Sequence, residues 1–220
     1  MIEFRNLAKY YQRNWVGLEN INLEFEKGSF VVVQGPTGAG KSTLLRLIYK
    51  AEEPSAGTVV VMGQDLGRMR KREIPAFRRK IGVIFQDFKL LEGRTIEENI
   101  AFALEVTGGP VKDIKKKTLE MLTWLRLSHK RNAFPYQLSG GEQQKIAIGR
   151  ALIREPYILL ADEPTGNLDT KSAHETVELL HEVNLKGTTV VLATHDFPLA
   201  KKFKKRTIKL VEGRVIADDD

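Results

Sequence analysis

At 220 residues, with 42 % hydrophobic and 29 % charged residues, the chain has ordinary globular usage and enough length for the core of one α/β domain. With no cysteine, disulfides, thiolate nucleophiles and Cys-ligated metals are excluded, and the four scattered histidines lack metal-ligand spacing. The formal charge of +7 suits nucleotide, nucleic acid or anionic lipid and selects none of them.

Residues 2–7 and 21–25 alternate apolar and polar, as an antiparallel sheet with one wet face requires. The N-terminus has no charged-then-apolar leader, and no run approaches the roughly 20 apolar residues of a membrane span, so a cytoplasmic chain is expected. After a turn at Gly28, residues 30–33 form a continuous apolar run, the mark of a strand buried on both faces. A glycine-rich loop then leads into a helical pattern over residues 41–48. A further strand is expected at 81–85, and amphipathic helices at 95–106 and 114–127, where apolar residues recur every three or four positions. Strands return at 157–161 and 188–193 around a helix at about 172–183, and a hairpin at 207–211 and 214–216 turns at Glu212-Gly213. The closing Asp218-Asp219-Asp220 reads as a frayed, solvated tail. The alternation predicts one α/β domain, residues 1–86 and 157–220 forming its core around a helical insertion at 87–156. Basic clusters at 68–72, 78–80, 115–117, 201–202 and 204–206 read as solvated faces.

Gly35-Pro36-Thr37-Gly38-Ala39-Gly40-Lys41-Ser42 matches G-x-x-x-x-G-K-[ST] in full, between a buried strand and a helix that continues through Thr43. Glycine lets the backbone wrap a phosphate and direct successive N–H groups at it, and the helix N-terminus adds its dipole. Lys41 is placed to reach the β- and γ-phosphates, and the Ser42 hydroxyl to ligate Mg²⁺. At average glycine usage a chance match in such a chain is on the order of one per cent. A second strand must bring a carboxylate to the metal, and the apolar run ending in Asp162 supplies it; Glu163, next in line, is placed to orient or deprotonate a water.

Leu138-Ser139-Gly140-Gly141-Glu142-Gln143-Gln144 reads alone as a helix cap, Ser139 and Glu142 forming a capping box. Beside a phosphate loop it resembles the signature of the ABC transporter ATPases, and the resemblance extends over the whole chain. It implies a P-loop NTPase (RecA-like) core with an N-terminal antiparallel β subdomain and an inserted α-helical signature subdomain, using ATP and Mg²⁺. It also implies roles residue by residue. Tyr11 would stack on adenine, Gln86 would sense Mg²⁺ and face the membrane partner, and Asn167 and Asp169 would form the loop between sites. His195 would contact the γ-phosphate. Ser139, Gly140, Gly141, Glu142 and Gln143 would reach the nucleotide of a second copy, giving an ATP-dependent head-to-tail homodimer that separates after hydrolysis. Movement would leave through the surface at Gln86, Asp87, Phe88, Lys89 and Leu90.

Within the family, Gln86-Asp87-Phe88 and Leu47-Ile48-Tyr49 resemble the bacterial cell-division ATPases. That branch implies an integral membrane partner of the FtsX type, control of cell-wall hydrolases and a place on the cytoplasmic face of the inner membrane. Residues 162–169 are shared with lipoprotein-release and macrolide exporters, the alternative reading. No long heptad insertion of the kind carried by DNA-associated ATPase heads is present, so nucleic acid is not an expected partner. One departure is Gly149, where alanine is expected, at a helix-propensity cost of roughly 1 kcal/mol.

Overall fold

A computed structural model describes residues 1–11, 15–108, 110–195 and 205–219. The basic residues 201, 202 and 204 and the terminal Asp220 lie outside the described residues.

Two sheets share the first core. The four-stranded antiparallel sheet runs β2 (Val16–Phe25), β1 (Ile2–Tyr10), β4 (Ala56–Val61), β5 (Gln64–Asp65). The six-stranded sheet contains β3 (Phe30–Gln34), β6 (Ile81–Ile84), β7 (Ile158–Asp162), β8 (Thr189–Thr194), β9 (Arg206–Val211) and β10 (Arg214–Asp219), in the order β10-β9-β3-β8-β7-β6. All its pairings are parallel except that of β9 with β10. Because side chains alternate along a strand, continuous apolar runs serve two cores at once. Val31, Val33, Leu160 and Val191 face the antiparallel sheet and α1 (Lys41–Ile48), while Phe30, Val32, Leu159 and Val190 face the opposite layer.

That layer holds α5 (Gly140–Leu152) and α6 (Thr170–Leu185). A third core joins α5 to α3 (Ile96–Glu105) and α4 (Val111–Trp124) through Ile100, Leu122, Leu125 and Ile146. Thr95 and Glu98 close a capping box at the start of α3, an arrangement whose loss costs about 1 kcal/mol.

Three features differ from the sequence reading. The β4–β5 hairpin and the short α2 (Ile74–Arg78) were not anticipated, although Thr58-Val59-Val60-Val61 before Met62-Gly63 is a strand-and-turn signal. Asp218 and Asp219 are not frayed: they belong to β10, where Asp218 pairs with Arg206 at 2.8 Å and Asp219 with Lys209 at 2.8 Å. Cross-strand cations of β9 thus overcome the self-repulsion of the acidic run.

Gly149 also acquires a reason. A Cβ there would lie 2.7 Å from Leu125 Cδ1 and 3.2 Å from Met121 Cγ, so its bare backbone admits α4. Leu125 is itself buried and has little room to retreat. Gly149→Ala should therefore fail to deliver the roughly 1 kcal/mol of helix propensity. A denaturant midpoint raised by that full amount would show that the close packing is unimportant.

Candidate active site

β3 delivers the phosphate loop at its C-terminal end. A side chain on Gly35 would overlap the Leu210 carbonyl oxygen of β9, and one on Gly40, at φ 102°, would overlap the Gly17 carbonyl oxygen of β2. The loop is thus wedged between both sheets, with Pro36, Thr37 and Gly38 exposed at its crown and Ala39 buried beneath. Gly40 offers no side-chain cap and the first turn of α1 has no acid, so its N–H groups are left for an external anion.

Lys41 is only 5 % exposed. Its Nζ donates to the carbonyls of Gly35 at 2.8 Å and Pro36 at 3.0 Å and lies 3.1 Å from Glu163 Oε1. Ser42 Oγ donates to Asp162 Oδ1 at 2.9 Å. Glu163 follows β7 with φ 47° and donates its N–H to the Ala193 carbonyl at 2.9 Å. Its Oε2 accepts the His195 N–H at 3.2 Å and lies 2.9 Å from His195 Nδ1. The ends of β3, β7 and β8 therefore join Lys41, Glu163 and His195 in one polar chain beside the Ser42–Asp162 pair. Burial pushes the Asp162 carboxyl above its ordinary range; the Ser42 hydrogen bond opposes this and the Glu163 charge adds to it.

Tyr11 reaches the same region, its hydroxyl 3.2 Å from Thr43 Oγ1. Gln86 lies exposed just past β6, and Asn167 Nδ2 donates to its carbonyl at 3.0 Å. Asp169 caps α6 through Ser172, whose N–H and hydroxyl hold its carboxyl below the usual range. Ser139 is exposed and caps α5 as the capping box requires, with Gly140, Gly141 and Gln143 half-buried in the first turn, and Lys130 pairs with Glu142 at 2.5 Å. No hydrogen bond or ion pair among the described residues connects this turn to Gly35–Thr43 of the same chain; Gly141 instead abuts Ser172.

Sequence reasoning missed the framework around Gln86. Phe88 and Lys89 both have positive φ, 52° and 51°, and Arg150 donates to their two carbonyls at 2.8 and 2.6 Å. The fully buried Asn99 exchanges hydrogen bonds with Leu91. Beside this loop lies a cleft of about 440 Å³, lined by Arg78, Arg79, Arg150 and Arg154 over Val83 and Phe85. None of these arginines has an ion-pair partner among the described residues, and burial lowers the pKa of Arg150 and Arg154.

A phosphate loop at the end of a parallel sheet, with an acid pair at the end of β7, the strand just beyond β8, defines a P-loop nucleotide hydrolase. The family model described as ABC transporter matches residues 18–166. The chain is 46 % identical over 219 residues to the cell division ATP-binding protein FtsE of Bacillus subtilis, covering 100 % of this chain and 96 % of the relative. It is 43 % identical over 220 residues to the FtsE of Mycobacterium tuberculosis, again covering 100 % and 96 %. A solved dimeric ATP-binding cassette in a post-hydrolysis state with ADP and Pi superposes with a TM-score of 0.91 at 36 % identity, covering 100 % of this chain and 98 % of that one. The chain belongs to the ABC transporter family and is one of its ATPase subunits.

The Glu142 carboxyl is opposed by burial, yet Lys130 and the Ser139 N–H hold it below its ordinary value of 4.5. A depressed folded-state pKa contributes stability that is present above the unfolded value and lost as pH falls through the folded one. Glu142→Gln keeps the capping geometry and removes the charge, so it should cost about 0.5–1 kcal/mol at pH 7 after solvent screening. Urea midpoints should converge with those of the wild type below pH 4.5; a constant gap would assign the cost to the cap alone.

Proposed function

We propose that the chain couples ATP hydrolysis at this site to a membrane partner of the FtsX type, in bacterial cell division and the control of cell-wall hydrolases. The observation that carries the chemistry is the Lys41–Glu163–His195 chain beside Ser42 and Asp162. Gly35–Thr43 cradle the phosphates, Lys41 neutralises the β- and γ-oxygens, and Glu163 accepts the proton of the attacking water while His195 contacts the γ-phosphate. Mg²⁺ would fit the oxygen pair of Ser42 and Asp162, whose half-buried carboxyl lacks an ion-pair partner among the described residues, and the family resemblance adds Gln86 to the donors that would hold it. When bound it supplies charge neutralisation on the phosphates.

The isolation of Ser139, Gly140, Gly141, Glu142 and Gln143 from their own phosphate loop favours a trans contact across a head-to-tail homodimer, with Asn167 and Asp169 between the two sites. Tyr11 contributes to the nucleotide's base side. Residues 87–156 act as the helical signature subdomain against a core of 1–86 and 157–220. The arginine-lined cleft beside Gln86 favours an acid-bearing segment of the partner, which would hold the chain on the cytoplasmic face of the inner membrane. The cell-division assignment rests on the full-length similarity to FtsE proteins.

Lys41→Ala should lose ATP affinity by tenfold or more, because the phosphates lose their counterion; calorimetry returning the wild-type affinity would remove Lys41 from the site. Glu163→Gln should bind ATP, dimerise and fall to background turnover, since an amide cannot accept the proton. Held closed with ATP, that variant should copurify from native membranes with an FtsX-like protein bearing a large extracytoplasmic loop. Recovery of a transporter permease would move the function to lipoprotein or small-molecule export.

A further inference from the structure

We propose that residues 68–80 form a docking surface for the anionic headgroups of a lipid bilayer. The inference rests on the membrane-partner reading of the cleft beside Gln86 and adds a direct lipid contact next to it.

The segment from Leu66 to Lys80 carries seven lysines and arginines against one acid, Glu73, a surplus that nearly equals the formal charge of +7 of the whole chain. All seven cations are exposed. Glu73 is already engaged, its Oε2 accepting the Arg70 N–H at 2.8 Å. Arg68 reaches Asp65 at 3.3 Å, and Arg78 donates to the carbonyls of Tyr49 and Lys50 at 3.1 and 2.8 Å. The other five, Arg70, Lys71, Arg72, Arg79 and Lys80, have no ion-pair partner among the described residues. The basic run of α4 is different, because Lys116 lies 4.0 Å from Glu120 and Lys117 lies 2.9 Å from Glu155. There the charge is offset locally; between 68 and 80 it is left for an outside anion.

The local fold turns the apolar residues inward and the cations out. Two short 3-10 turns, Leu66–Arg68 and Lys71–Glu73, lead into α2, and Leu66, Met69 and Phe77 pack on the first core. Phe77 is the one aromatic of the segment and is 3 % exposed, so no ring is offered on which an unpaired base could stack. Exposed cations without an aromatic platform suit phosphate headgroups, which are held by charge alone. The position agrees. Arg78 and Arg79 line the cleft beside the Gln86 loop, and the stretch from Arg72 to Arg78 spans only about 9 Å at helical rise. That is close to the Debye length of about 8 Å at physiological salt. A partner leaving the bilayer to fill the cleft would bring its own headgroups within reach of Arg70, Lys71 and Arg72.

Sedimentation with vesicles tests this on the purified chain without the partner. Vesicles of mixed phosphatidylcholine and phosphatidylglycerol should retain the protein at low salt and release it at high salt, and pure phosphatidylcholine should retain none. Each cation near an anionic surface contributes about fivefold, so the combined Arg70→Gln, Lys71→Gln and Arg72→Gln variant should bind these vesicles about a hundredfold more weakly. Its ATP affinity should stay at the wild-type value, which shows that it folds. Combined Lys115→Gln, Lys116→Gln and Lys117→Gln should bind the vesicles as the wild type does. Equal losses in the two triple variants would assign the binding to net charge and overturn the inference. Absence of binding that depends on phosphatidylglycerol would also overturn it, and retention of a DNA duplex under those conditions would reassign the patch to nucleic acid. Neither result would touch the partner reading, which stands or falls on the membrane copurification.

Discussion

The buried ammonium of Lys41 is the constraint on which the rest of the site depends. A charge so nearly removed from water costs several kcal/mol unless it is fully partnered. Two partners are carbonyls of the loop itself, Gly35 and Pro36, and the loop can present them only by curling back over the ammonium. That curl forces Gly35 against Leu210 of β9 and Gly40 against Gly17 of β2, where no side chain fits. The third partner, Glu163, comes from the end of β7 in a left-handed backbone conformation and is held by Ala193 and His195 after β8. One buried cation therefore sets the relation of five strands, and the site falls at the carboxyl ends of the parallel sheet where such folds bind ligands.

The same pairing gives the resting site its logic. Both Glu163 oxygens are engaged, one with Lys41 and the other with His195. On the proposed reading, a γ-phosphate would bring denser negative charge to Lys41 than a single carboxylate does, drawing the ammonium away and leaving a Glu163 oxygen free for water. The base would then be released by the arrival of the substrate. Since one charge-assisted contact replaces another, the exchange offsets part, not all, of the Lys41–phosphate attraction, and the loop amides and the helix N-terminus add to what remains.

Much of this was legible in sequence because the decisive signals are local. Glycine spacing, a β-branched run and the Ser139–Glu142 pair each act within a few residues, and the strand, loop, helix and cap all stand where those patterns place them. The unread features depend on residues far apart in the chain. Gly149 looks like a propensity defect until Leu125 and Met121 of α4 are seen against it. The acidic end looks solvated until β9 supplies Arg206 and Lys209. The arginine cleft is likewise a product of topology, bringing Arg78 and Arg79 at the end of α2 to Arg150 of α5 and Arg154 just past it.

Arg150 also ties the loop after Gln86 to α5, the helix that Ser139 caps. Two consecutive residues in the left-handed region, Phe88 and Lys89, cost on the order of 1–2 kcal/mol each. They persist because Arg150 holds both carbonyls while Asn99 holds the next turn at Leu91. Arg150 lies on α5, the helix whose first turn carries Ser139 to Gln143. From the other side, Asn167 grips the Gln86 carbonyl, and two residues on Asp169 fixes Ser172 beneath Gly141. The loop is thus bonded at one end to the signature helix and at the other to the segment that supports it. A push on Phe88 and Lys89 is resisted by bonds to α5 rather than absorbed by a slack loop, so under the proposed partner contact the unit that is pushed is also the one that carries Ser139 at its N-terminus.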